Sequence, residues 1–253
     1  MKTKRVYERF GGAVPVAAIL GLWEVVARLG WVPGDVLFPP FSGVVRELYS
    51  LAVSGVLAQN FLPSLERVML GLAAGTGVGI LVGTAMGWKK WIGGALSPII
   101  SLLYPIPALG WLPLLMIWIG LSEMLPVAII FICSFFPICY TTSTGIRNVD
   151  RRYIQAARTL GSSDLRILAT VAFPLALPDI FTGLRLEAGM AWRVIIAAEM
   201  VAIPTGIGAL LMRSENLLRV DTILACLLVL SVMCFSFERV LLLLETRITG
   251  RWR

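Results

Sequence analysis

The sequence predicts an all-α integral membrane protein of six transmembrane helices, on three observations: its composition, the length of its apolar runs and the sorting of its positive charges. Of 253 residues, 58% are hydrophobic and 15% charged, and the mean hydropathy of +0.85 lies outside the range of water-soluble domains. Only helices and closed barrels satisfy their backbone polar groups in lipid, and crossing ~30 Å of hydrocarbon takes about 20 apolar residues per helix. A barrel would show short alternating segments, whereas the runs here are long and continuous.

Six such runs fall at about 11–29, 63–87, 92–119, 124–146, 180–203 and 221–244. They make one transmembrane domain over 1–253, with a core bundle at about 60–245 and a polar loop at about 147–179. An even number of crossings leaves both termini on one side. Lys and Arg near helix ends are retained in the cytoplasm. Lys2, Lys4, Arg5, Arg9, Lys89, Lys90, Arg147, Arg151, Arg152, Arg158, Arg166, Arg239, Arg247, Arg251 and Arg253 all fall on one side. Both termini are therefore expected on the cytoplasmic side of the membrane. The formal net charge of +7 orients the chain; its positives form no dense patch, so no nucleic-acid partner is expected.

Taken in order, the basic MKTKRVYERF precedes an apolar run without an A-x-A cleavage site and reads as a retained first helix. In the first outer loop, LFPPFSGVVRELYSLAVSG predicts a helix begun at Ser42 with Val44, Val45, Leu48, Leu51 and Ala52 on one stripe, lying on the outer surface. The second run carries glycines at 71, 75, 79, 83 and 87, with Gly77 added. Small residues at that spacing let two helix backbones approach, either within the chain or at a dimer seam.

The third run contains Pro98, Pro105, Pro107 and Pro113, which remove backbone donors and predict a break. Broken backbone survives at membrane depth only against protein or water, so this segment is a candidate translocation wall. Tyr104, Trp111 and Trp118 recur every seven residues and share a face if helical geometry persists; otherwise they are interfacial or core aromatics. Cys133, Cys139, Cys226 and Cys234 fall inside apolar runs with no C-x-x-C and no histidine in the chain, so buried small hydrophobes are expected and no metal.

The fifth run holds Arg185, Glu187, Arg193 and Glu199, charges that must face protein or water. Arg185 and Glu199 lie fourteen positions apart, near one face, while Glu187 and Arg193 point elsewhere. Arg193 is a candidate counter-charge for an anionic solute, with Glu199 a second candidate on the path; an interhelical ion pair is the alternative. The segments 30–62, 120–123 and 204–220 read as outer loops.

Within the polar loop, RRYIQAARTLG suits a short helix that Gly161 ends. Ser162 or Ser163 can then cap a second short helix, favoured by Asp164 at its positive end. Two short helices meeting at a glycine, with Ala156, Ala157 and Leu160 on one flank, make a knuckle fit for a groove in another protein.

Here the residues resemble a known family. Permease subunits of bacterial ATP-binding cassette importers carry E-A-A, three residues, G, nine residues, I-x-L-P in this loop. This chain reads Gln155-Ala156-Ala157, Gly161, then nine residues to Val171-Ala172-Phe173-Pro174. The departures are Gln for Glu, Val for Ile and Phe for Leu. LFPPFSGVV, YPIPALGWLPLLMIWIGLSE and AWRVIIAAEM also resemble family segments, in the branch that imports nitrate, taurine and other sulfonates, with bicarbonate and thiamine-precursor importers as relatives.

The resemblance implies a type I importer transmembrane domain in a bacterial inner membrane. It also implies a second permease copy, an external solute-binding protein, and cytoplasmic ATPase subunits that hold ATP-Mg and receive Gln155, Ala156, Ala157, Leu160, Gly161 and Pro174 as a coupling loop. The chain itself has no G-x-x-x-x-G-K-[ST], and its lysines stand only at 2, 4, 89 and 90, so it cannot hydrolyse ATP alone and is expected to bind no cofactor directly and not to be an enzyme. An ion-coupled carrier would need no ATPase dock, and a membrane enzyme would need a nucleophile or metal cluster that the sequence lacks.

Overall fold

A computed structural model of the protein describes residues 2–30 and 37–249, and all regular structure among them is helical. Four stretches, Val56–Trp88, Met124–Arg147, Asp164–Ala202 and Val220–Ile248, are long and apolar enough to cross a bilayer. A fifth is broken: α4 (Lys90–Leu103) and the helical stretch Ala108–Ile119 meet at 89°. The helix α1 (Lys2–Arg28) covers the first predicted run, so helix occupies all six predicted places, with span length established for four and the bent pair.

The glycine ladder decides how the bundle is assembled. Along α3 (Val56–Trp88) a Cβ on Gly71, Gly75, Gly79, Gly83 or Gly87 would lie 2.8, 2.7, 3.0, 2.5 and 2.9 Å from the carbonyl oxygens of Val127, Phe131, Phe135, Cys139 and Ser143. Those residues belong to α6 (Met124–Arg147) and also step by four, so the two helices run parallel with a constant offset. The ladder is thus an intrachain seam, and Gly77 lies off it with open space around its Cα. Lipid supplies no hydrophobic drive between helices, and close backbone approach recovers van der Waals contact instead.

The opposite side of α6 packs antiparallel on α9 (Phe173–Ala202), where Gly183 faces Thr141 and Gly145 faces Asp179. Around α9 a core gathers Val68, Leu72, Ile195 and the fully buried Trp192, which stacks on Phe61 at 6.4 Å and meets Phe237 edge-on at 6.2 Å. Phe237 belongs to α11 (Val220–Thr249).

Four sequence expectations change. The second run begins earlier, since α3 continues past Pro63 to Val56. In α2 (Phe41–Val53), Val44 and Leu51 are buried with Leu48 against Ala225 of α11 and Trp23 of α1, while Val45 and Ala52 are exposed. The predicted stripe is therefore narrower, and the helix docks on protein; Glu24 of α1 accepts from the Ser42 backbone at 3.0 Å and hydroxyl at 2.8 Å, and so fixes its start. The outer segment 204–220 is not only loop: α10 (Ile207–Asn216) buries Ile207, Leu210 and Leu211 against α9 and α11. The fifth run starts much sooner than residue 180, as described below.

The seam predicts an asymmetry between neighbouring glycines. Gly83→Leu forces apart two backbones and is expected to lower stability by about 3 kcal/mol or more. Gly77→Leu should stay within about 0.5 kcal/mol. Thermal unfolding of the detergent-purified variants checks both.

Candidate functional site

Three constellations lie along α9: a knuckle at its predicted cytoplasmic end, a cavity midway and a buried charge network at its far end. The knuckle begins at α7 (Arg151–Thr159), whose N-cap Asp150 accepts from the Arg152 amide at 2.9 Å, a cap the sequence reading overlooked. Gly161, at φ +79, ends it: Ser162 N–H reaches the Ala157 carbonyl at 3.0 Å and Gly161 N–H that of Arg158 at 2.9 Å, the two bonds of a Schellman motif. A left-handed residue is needed at this point, and only glycine adopts it freely.

Beyond the turn, α8 (Asp164–Ile167) follows Ser163, whose hydroxyl makes no cap bond; Asp164 instead accepts from Arg158 at 3.0 Å across the turn. The second limb is not a separate short helix. It passes through a π turn at Leu168–Ala172 into α9, giving one helical stretch from Asp164 to Ala202, 39 residues long. The reason is Pro174, which lacks an N–H and whose ring would strike the carbonyl four residues back. The wider π turn just ahead of it relieves that conflict.

No residue of α7 is buried. Leu160 is 85% exposed, and Tyr153, Gln155, Ala156 and Leu165 are exposed beside it, an apolar patch projecting from the bundle. Gln155 also borders a cleft of about 930 Å³ lined by Lys89, Lys90, Arg147, Arg151 and Arg158, with Asp164 its one carboxylate. Pro174 sits half-buried on the rod side of the knuckle.

The break in the third span forms the second constellation. A cavity of about 510 Å³ is lined by Tyr104, Pro105, Pro107, Phe136, Glu187 and Met190 among others. Tyr104 stacks on Tyr140 at 5.8 Å. The 89° bend interrupts the seven-residue repeat, so the three aromatics do not share a face. Trp111, in the 3₁₀ turn Ala108–Trp111, packs into the cluster around Leu115 and Ile129, while Trp118 on α5 (Leu112–Ile119) is exposed. Arg193 lies exposed nearby, its Nη1 3.6 Å from Met190 Sδ, with no ion pair shown among the described residues.

The third constellation centres on Arg67 of α3, which the sequence reading passed over. Its side chain is 4% exposed; Nη1 donates to Glu199 Oε1 at 2.6 Å and to the Thr205 carbonyl at 3.0 Å, and Nη2 to Thr205 Oγ1 at 2.6 Å. Nε donates to Glu123 Oε2 at 2.7 Å. Glu199 is fully buried and also accepts from Ser64 Oγ at 2.8 Å and from Gly208 N–H at 3.0 Å. Ser64 Oγ in turn accepts from Ile207 N–H at 3.0 Å. The carboxylate thus sits at the positive end of α10 as well as on a guanidinium.

Arg185 and Glu199 therefore have different partners, Arg185 pairing with Glu245 at 3.3 Å. The signal for Arg67 was available: a lone arginine inside an apolar run demands a buried counter-charge.

The chain is similar to proteins of known family. The family described as binding-protein-dependent transport system inner membrane component matches residues 75–250. The taurine transport system permease protein TauC of Escherichia coli (strain K12) is 35% identical over 239 residues, covering 92% of this chain and 86% of that protein. The nitrate import permease protein NrtB of Synechocystis sp. is 31% identical over 244 residues, covering 92% and 87%. Inward-facing structures of the MetNI methionine ABC transporter include a chain that superposes with a TM-score of 0.66 at 14% identity, covering 75% of this chain and 94% of that one, a likeness of fold.

The Arg67 network makes a stability prediction. Breaking a buried ion pair from one side strands the other charge, so Arg67→Met and Glu199→Gln should each cost about 3–5 kcal/mol. The double variant is expected to cost less than the sum of the two, as read by unfolding of the purified protein.

Proposed function

Because this chain belongs to the family of binding-protein-dependent transport system inner membrane components, we propose that it is the permease subunit of an ATP-driven importer for a small anionic or zwitterionic sulfonate or related oxyanion such as nitrate. Family membership itself makes the chain a multi-pass inner-membrane transport subunit and not an enzyme. The solute class rests on the taurine and nitrate permeases to which it is similar.

The observation that carries the mechanism is the union of knuckle and rod. An exposed apolar patch at Leu160 is joined, through Gly161 and the π turn, to a helix that ends in the Arg67–Glu199 network. At about 1.5 Å per residue, 39 helical residues span roughly 58 Å, enough to cross the bilayer and reach beyond it. In this reading, cytoplasmic ATPase subunits grip Ala156, Ala157 and Leu160, with Gln155 at the edge of the basic cleft. Their closure on ATP-Mg displaces the knuckle, and the rod carries the displacement to the outer end.

An external binding protein delivers solute there, and a second copy of the permease completes the path. Both termini lie on the cytoplasmic side, where the positive charges gather. Within the path, Tyr104 borders the break cavity, and Arg193 stands outside its lining, three residues beyond Met190. Trp111 and Glu199 act as packing and positioning residues, and Trp118 faces lipid or the second copy.

The reading is tested with the chain, its ATPase and its binding protein in proteoliposomes. ATP-dependent taurine uptake is expected in the wild type. Gly161→Val, strained at φ +79, and Leu160→Glu should each lower it at least about tenfold, at unchanged membrane abundance. Uptake that continues without ATP would instead identify an ion-coupled carrier.

A further inference from the structure

Two carboxylates of α9 are buried, and they are treated differently by their surroundings. Glu199 is met by Arg67, Ser64 and the Gly208 amide. Glu187 is 9% exposed, and among the described residues the one polar contact shown for it is the Cys133 thiol, 3.7 Å from Oε2. A sulfur donor at that distance is weak, and a buried carboxylate without a stronger partner is costly. What sets Glu187 apart is that it borders the cavity at the third-span break, so a partner can come from inside that space.

We infer that this cavity is a solute subsite in which Glu187 receives an ammonium group. The walls suit such a group: the rings of Tyr104 and Phe136 line the space, and aromatic faces attract cations. Glu187 is the one charged side chain in the lining, the rest being apolar apart from Tyr104 and Cys133. A volume of about 510 Å³ lies within the usual range for small-molecule sites. This deepens the permease reading and rests on it: the solute carries an amine as well as an acidic group, and inorganic oxyanions, which lack the amine, are disfavoured beside the carboxylate.

The test uses this chain assembled with its ATPase in proteoliposomes, with Cys139, Cys226 and Cys234 replaced by alanine so that Cys133 is the chain's one thiol. Cationic aminoethyl methanethiosulfonate should label Cys133 about tenfold faster than anionic sulfonatoethyl methanethiosulfonate. The preference should persist in Glu187→Asp and vanish in Glu187→Gln. Taurine should slow the labelling, and ethanesulfonate, the same anion without its amine, should not.

A reagent ratio unchanged by Glu187→Gln overturns the inference, as does equal protection by the two sulfonates. The protection pair needs only the native carboxylate, so it decides the matter even if the glutamine variant does not fold. Charge-selective labelling with taurine protection, in a transporter that takes up no sulfonate, would support the subsite while overturning the assigned cargo.

Discussion

The close approach of α3 to α6 is the constraint from which the rest of the bundle follows. Five glycines place one backbone against the carbonyls of another, with no side chain between them. Because both helices step by four residues, the contact persists for most of the membrane thickness and fixes axial register as well as distance. With that seam occupied, α6 offers α9 its other flank. The third span, which links these parallel helices, is left outside the seam. Its prolines cost less there than inside a closely packed interface, and the bend they make opens the space beside α6 and α9.

Charge is handled by a second rule. A buried guanidinium and carboxylate seldom stabilise a fold beyond what apolar residues would, but they admit few alternative arrangements. Arg67 binds groups from α9, from the turn before α10 and from the segment before α6, so elements remote in sequence are brought to one point. Gly206, at φ +111, leaves room for the Glu199 carboxylate where a side chain would strike it. The far end of the rod is thereby tied to α3 and α10, while its knuckle end is exposed.

Features written in local chemistry were legible in the sequence. Long apolar runs, the four-residue glycine period, the prolines of the third span and the helix-ending role of Gly161 all follow from residue type and spacing alone. What the sequence hid depends on distant partners. Nothing near Arg67 announces Glu199, 132 positions away. The helix α10 looks like loop because it is only ten residues long and its N-terminal amides are satisfied by side chains from α3 and α9, with no cap residue of its own. The unbroken passage from α8 into α9 was obscured by Phe173-Pro174, which reads as a boundary unless a π turn absorbs it. The seven-residue recurrence of Tyr104, Trp111 and Trp118 misled for the opposite reason, since periodicity has meaning only while one helix lasts.

The π turn has a consequence for rotation. It inserts one residue into what would otherwise be regular α-helix, and one residue corresponds to about 100° of azimuth. The direction in which Leu160 points, relative to the side of α9 that packs on α6, is thus set by a single extra residue between positions 168 and 172. Two chains with the same knuckle and the same rod, differing only by that residue, would present their apolar patch to different quadrants. Compass bearing, as distinct from shape, is encoded there.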